Sequence, residues 1–207
     1  MHGAYDQVEF NKYDDRVAAA YPNQTFDSEI ENYMKKLVEF DNMLGLIMDR
    51  LEENGQLDNT LFAIFPDHYP YMMDYQTYED HIGVKDDFHE VMRQELIIYA
   101  TNMTGEVIHT AGSTVDITPT LLNLLNSNSE FGYFSGNDLL GVDENYILFA
   151  DLTITDGENI LYLNESYDGD PAKFALLEAA LEDRINALEI QKKLLTCNYF
   201  IKKETLE

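Results

Sequence analysis

Cysteine, basic residues and long apolar runs are scarce in this sequence, and each scarcity excludes something. One cysteine, Cys197, among 207 residues cannot close an internal disulfide, and no CxxC or Cys/His zinc spacing is present. Lysine and arginine number 13 against 39 aspartates and glutamates, for a formal net charge of -26. That balance repels phosphate backbones, so no nucleic acid is expected as a partner, and an anionic membrane surface is a poor one. No apolar run approaches the ~20 residues that span a bilayer. The opening, Met1-His2-Gly3-Ala4-Tyr5, has neither the basic nor the apolar region of a signal peptide. The chain as written is therefore expected to be soluble. It holds no internal repeat and no low-complexity linker.

What is present suits one folded domain with a sizeable core: 45% of residues are apolar and 12% aromatic, too many for a disordered chain. Residues 1–26 are polar and aromatic, with Pro22 as a breaker. Ile30, Tyr33, Met34, Leu37, Val38, Leu44, Ile47, Met48 and Leu51 then recur at helical spacing, which predicts an amphipathic helix from Ser28 to Asn54 whose stripe packs in the core. Ser28 with Glu31 forms a capping box, and Gly55 is a stop. Two unbroken apolar runs, Asn59–Phe65 and Leu96–Ala100, read as strands buried on both faces of a parallel sheet. The polar, aromatic stretch between them reads as loop and short helix. Thr118-Pro119 predicts a helix start, with threonine as N-cap and proline at the first helical position. After Tyr146 come three short strands, with Asp156-Gly157 as a two-residue type I′ hairpin turn. A helix from Pro171 to Thr196 closes the chain. The fold class is α/β, a mostly parallel sheet flanked by helices, followed by a small antiparallel sheet and a terminal helix. Residues 1–145 form the α/β part and 146–207 the small sheet and helix.

The sharpest local signal is Asp67-His68, directly after the first apolar run. In open α/β sheets ligands bind outside the carboxyl ends of strands, and a carboxylate beside an imidazole offers oxygen and nitrogen donors to a divalent metal. A dipeptide alone is weak evidence, but its context is not. Gly55-Gln56-Leu57-Asp58-Asn59-Thr60, followed by the apolar run into Asp67-His68, resembles the turn and strand that carry an Asp-His pair in the alkaline-phosphatase/sulfatase superfamily. Ser113 to Leu122, with Asp116-Ile117-Thr118-Pro119-Thr120 at its centre, resembles a second segment of that superfamily. Phe131-Gly132 through Asp138-Leu139-Leu140 is similar to a third. The three occur in the superfamily's order. Met1-His2-Gly3-Ala4-Tyr5 resembles the "H-x-P-Y" stretch of one branch, the lipoteichoic-acid-synthase-like phosphoglycerol transferases, with Ala4 in place of proline.

The resemblance implies an alkaline-phosphatase-like sandwich, present in part. It implies that Asp67 and His68 are metal ligands and that His2 contacts the substrate phosphate. Asp116, Pro119 and Thr120 fall in a segment whose role looks structural. His81, His89 and His109 match no role and read as ordinary polar histidines. The cofactor implied is a divalent metal (Mn, Mg or Zn, with Mn favoured by the branch). Its site would be incomplete in this chain, because the branch's threonine nucleophile and at least one acidic ligand lie in the amino-terminal half of the domain, which becomes the implied partner. No C-x-P-x-R or S-x-P-x-R sequence occurs here, and no threonine sits in a matching context, so the chain alone is expected to be inactive. The substrate implied is a phospholipid head group or glycerophosphate polymer, and the place the extracytoplasmic face of the cell membrane. Two alternatives stay open: a sulfatase or phosphodiesterase of the same superfamily, and a non-catalytic acidic interaction module on the same fold.

Overall fold

The computed structural model describes residues 8–84, 87–127, 133–164 and 166–199. The chain divides into two compact units, Met1–Gly105 and Glu106–Glu207.

The first unit is built on one long helix. A 3-10 turn, Val8–Tyr13, and helix α1, Asp14–Ala20, precede α2, Ser28–Glu53. The α1 helix occupies a stretch whose composition reads as irregular. It is fastened to α2 by the buried Lys35 ammonium, which pairs with Asp14 at 2.7 Å and Glu31 at 2.8 Å. A buried charge is tolerated when it is paired in this way. The N-cap of α2 is Asp27, not Ser28: its side chain accepts from the Glu29 N–H at 2.9 Å, and either residue type can serve. Gly55, at φ +66°, ends the helix as expected. The apolar stripe of α2 packs at its start only. Ile30 is buried against Met73 with Phe26, Tyr33, Met34 and Tyr78 around them, whereas Leu37 and Ile47 are both more than two-fifths exposed.

The two apolar runs are strands: β1, Phe62–Ile64, and β2, Ile97–Tyr99. They do not form the expected parallel sheet. They pair antiparallel, with Phe62 opposite Tyr99 and Ile64 opposite Ile97, and every strand pair among the described residues is antiparallel. An apolar run reports burial, not direction, and a connection of this length permits either sense. It carries two short helices, α3, Tyr75–Ile82, and α4, Phe88–Val91. Nor is the pair buried on both faces, since Ile97 is 55% and Tyr99 40% exposed. The architecture is thus mixed helix and sheet with small antiparallel sheets.

In the second unit α5 spans Thr114–Leu124, one turn earlier than the Thr118-Pro119 signal suggests. Ser113 is the N-cap, in a capping box with Asp116, and Pro119 sits inside the helix. Proline has no N–H to give the Val115 carbonyl. Gly136 packs against that carbonyl so closely that a Cβ there would lie 2.1 Å from Val115 O. The small sheet has the order β3-β4-β5-β6, with strands Ile147–Leu148, Ile154–Thr155, Ile160–Leu161 and Tyr167–Asp168. The turn between β4 and β5 is a four-residue loop, 156–159, rather than a type I′ pair. Only Gly157 has positive φ, and type I′ needs it at both central residues. Helix α6, Phe174–Thr196, lays Leu177 and Ala180 on Ile154 and Leu161 to make the core of this unit.

Candidate metal-binding pair

The residues around Asp67-His68 are placed by the turn before β1 and the helices after it. Leu57–Asn59 forms a single 3-10 turn, closed by the Thr60 hydroxyl donating to Gln56 O at 2.9 Å. Asp58 accepts from the Thr101 hydroxyl at 2.8 Å, which ties the residues before β1 to those after β2. Strand β1 therefore leaves the ladder at a fixed point, and Asp67 and His68 follow its carboxyl end by three and four residues. The chain next turns through Pro70, which is buried, and Met73, which belongs to the α2–α3 core.

At that corner the two side chains come together. Asp67 is 77% exposed and His68 30%, with His68 Nε2 3.4 Å from Asp67 Oδ1. His68 Nδ1 lies 2.7 Å from the Tyr69 carbonyl oxygen. A carbonyl only accepts, so Nδ1 is the donor in that hydrogen bond. Histidine ligands of metals are held in this way, through a hydrogen bond from the other ring nitrogen to a carbonyl or carboxylate. Two donors bonded to one tetrahedral cation at about 2.1 Å lie about 3.4 Å apart. The pair thus has the donor types and the spacing of two ligands. Among the described residues no group of three or more His, Cys, Asp or Glu side chains is placed to hold a metal. The surroundings are aromatic: the His68 ring is 4.5 Å from that of Tyr71, and Tyr69 stacks on Tyr78 and meets Phe88 edge-on.

His2 lies outside the described residues, as do Phe131 and Gly132. His81 rests edge-on against Phe26, and His89 Nδ1 is 3.9 Å from Asp87 Oδ1; neither joins the pair. Asp116, fully buried, is a hub in the second unit. It accepts from Ser113 N at 2.8 Å, Asn137 N at 2.7 Å and Asn145 Nδ2 at 3.1 Å. Arg184 on α6 donates to Asn145 Oδ1 and, at 2.7 Å, to Ser135 O. Thr120 bonds back to Asp116 O at 2.7 Å and accepts from Leu139 N at 3.0 Å, so the second and third superfamily-like segments are bonded to one another. One buried acid that sequence reading passed over is Glu79. Nothing in its spacing marks it out, because on α3 it falls in the same row as the exposed Tyr75.

Residues 1–127, more than half of the chain, match the model of the Sulfatase family. Lipoteichoic acid synthase 2 of Bacillus subtilis (strain 168) is 25% identical over 127 residues, which are 59% of this chain and 20% of that protein. Lipoteichoic acid synthase 1 of the same strain is 26% identical over 183 residues, 84% of this chain and 28% of that protein. Lipoteichoic acid synthase of Staphylococcus saprophyticus is 25% identical over 128 residues, 60% of this chain and 20% of its own length. The chain therefore spans between a fifth and a little over a quarter of the curated relatives it matches. No solved structure matches it. The turn, strand and Asp-His order and the family match agree, and the chain belongs to the sulfatase family, in its lipoteichoic-acid-synthase-like group.

Proposed function

We propose that this chain supplies part of the catalytic domain of a metal-dependent phosphoglycerol transferase, an alkaline-phosphatase-like α/β domain completed by an amino-terminal half. Its substrate would be a phospholipid head group or glycerophosphate polymer at the extracytoplasmic face of the membrane. The observation that carries the reading is the Asp67–His68 pair. It falls within the family match, and its donors stand 3.4 Å apart with His68 Nδ1 hydrogen-bonded to the Tyr69 carbonyl. The names of the relatives support the branch.

A divalent cation, Mn before Mg or Zn, would lower the pKa of a coordinated hydroxyl and offset charge developing on phosphate. Asp67 would supply the hard oxygen donor and His68 the nitrogen. The Tyr69 carbonyl would keep the imidazole from turning. His2 would hold the phosphate in line. Two protein donors fall short of the three of a catalytic zinc site and the roughly six ligands of a magnesium site, so the remaining ligands and the nucleophile would come from the partner half. Sulfate or phosphodiester hydrolysis is the second reading, favoured by the description of the matching family model.

The test is an assay with added Mn²⁺, Mg²⁺ or Zn²⁺ on phosphatidylglycerol-like lipids and on aryl phosphate and aryl sulfate esters. The intact enzyme should transfer phosphoglycerol, and Asp67→Asn or His68→Ala should reduce turnover at least about a hundredfold, the scale at which losing a catalytic group is felt. The chain by itself should be inert. Turnover by the chain alone that vanishes on mutating Asp67 would mean that it holds a complete site.

A further inference from the structure

Tyr71 meets the His68 side chain in two ways, through its backbone and through its ring. The Tyr71 N–H donates to the Tyr69 carbonyl at 2.7 Å, and the same oxygen accepts from His68 Nδ1 at 2.7 Å. A carbonyl oxygen has two lone pairs and can serve both donors. A bond from residue i+2 back to residue i closes a γ-turn, and proline, with φ fixed at about −65°, suits the middle of its inverse form. Pro70 is that middle residue, and it is buried. The turn is also held from its far side. The Met73 N–H donates to Pro70 O at 2.9 Å, Met73 packs on Ile30, and the Asp74 N–H donates to Glu29 Oε2 on α2 at 2.9 Å. The direction of the Tyr69 carbonyl is thus set by the turn.

The Tyr71 ring lies against the imidazole, with centroids 4.5 Å apart and planes at 58°, and meets the Tyr69 ring edge-on at 6.4 Å. An imidazole turned over about its Cβ–Cγ bond exchanges Nδ1 with Cδ2 and Nε2 with Cε1. The turned ring would lose its bond to Tyr69 O and would take Nε2 away from Asp67 Oδ1, now 3.4 Å distant. A ring packed on the imidazole opposes that movement. Tyr71 is 49% exposed, so its side chain can be cut back at little cost to the core. We propose that Tyr71 is a positioning residue for His68: its N–H fixes the carbonyl that binds Nδ1, and its ring keeps Nε2 on the Asp67 side. Tyr71 would give the metal no donor and would act through His68. This role deepens the reading of Asp67 and His68 as ligands and rests on it.

The experiment is NMR of the whole chain with nitrogen-labelled histidine at about pH 8, where free imidazole is neutral. It reads the His68 tautomer from its ring nitrogens, identified by their loss in His68→Ala, and their broadening by added Mn²⁺. In the wild type the Nδ1–H form should dominate. In Tyr71→Ala the ratio of Nδ1–H to Nε2–H should fall about threefold or more, the size of one aromatic contact. The Mn²⁺ concentration needed for broadening should rise with it, as it does when an outer-shell partner is lost. Tyr71→Phe keeps both the ring and the N–H and should match the wild type. A ring that only fills space would lower the melting temperature and leave the tautomer alone. An unchanged tautomer or an unchanged Mn²⁺ requirement in the folded Tyr71→Ala protein overturns the proposal, as does a Tyr71→Phe shift as large as that of Tyr71→Ala. If Tyr71→Ala does not fold, Pro70→Gly, which loosens the turn, should give the same shift, and its absence overturns the proposal equally. If His68 shows no Mn²⁺ broadening in the wild type while its tautomer follows Tyr71, the positioning role stands and the metal reading fails.

Discussion

At the scale of single residues, a buried carboxylate does most to order the second unit. Asp116 holds the second unit together. Two backbone N–H groups, from Ser113 and Asn137, and the Asn145 amide converge on its carboxylate. Asp116→Ala should cost roughly 2–5 kcal/mol, because each buried donor left without an acceptor is worth about 1–3 kcal/mol. Urea unfolding would measure it, and a loss below about 1 kcal/mol would show the network to be incidental. The closeness of His68 to Asp67 was legible from the sequence, since the two are neighbours after an apolar run. Glu79 was not, because its burial on α3 comes from tertiary packing, which no local pattern encodes. The Asn145–Arg184 link was equally hidden: it joins residues 39 apart.

At the scale of elements, agreement follows the length of the local signal. Long helices α2 and α6 and three of the four short strands after Tyr146 stand close to where the sequence predicts them, whereas β6, Tyr167–Asp168, was not expected. Boundaries fail where two cap residues compete, as with Asp27 against Ser28 and Ser113 against Thr118. The direction of the β1–β2 pair was illegible for a different reason. Register and sense are settled by long-range packing, and three residues per strand carry too little pattern to specify either. The β4–β5 loop lends itself to a test. Burial of Asp156 raises its pKa, but hydrogen bonds from the Asn159 and Glu158 N–H groups and the Asn159 side chain outweigh this, and the net shift is downward. A depressed folded pKa stabilises above the unfolded value, about 3.9, and the contribution is lost as pH falls through the folded pKa. The stability gap between wild type and Asp156→Asn should therefore be flat from about pH 5 to 7 and close below about pH 4. A gap that widens in acid would contradict the assignment.

At the scale of the whole molecule, charge dominates. Net charge of -26 works against any compact state through self-repulsion, and added salt screens it, with a Debye length falling from about 30 Å at 0.01 M to about 8 Å at 0.15 M. The melting temperature should therefore rise over that range, and a fall would mean that attractive pairs such as Lys35 with Asp14 and Glu31 outweigh the repulsion. No helix among the described residues is long and apolar enough to cross a membrane. The family was readable because three short segments keep their order along the chain, which spans between a fifth and a little over a quarter of its relatives' length. Central to the proposed function is that Asp67 and His68 form half of a divalent-cation site. The most direct test is Mn²⁺ binding to the purified chain, followed by loss of the free-ion electron paramagnetic resonance signal at about 0.15 M salt, where diffuse association with surface carboxylates is screened. The wild type should show one weak site above that background, absent alike from Asp67→Asn and His68→Ala. Equal binding by all three proteins would contradict it.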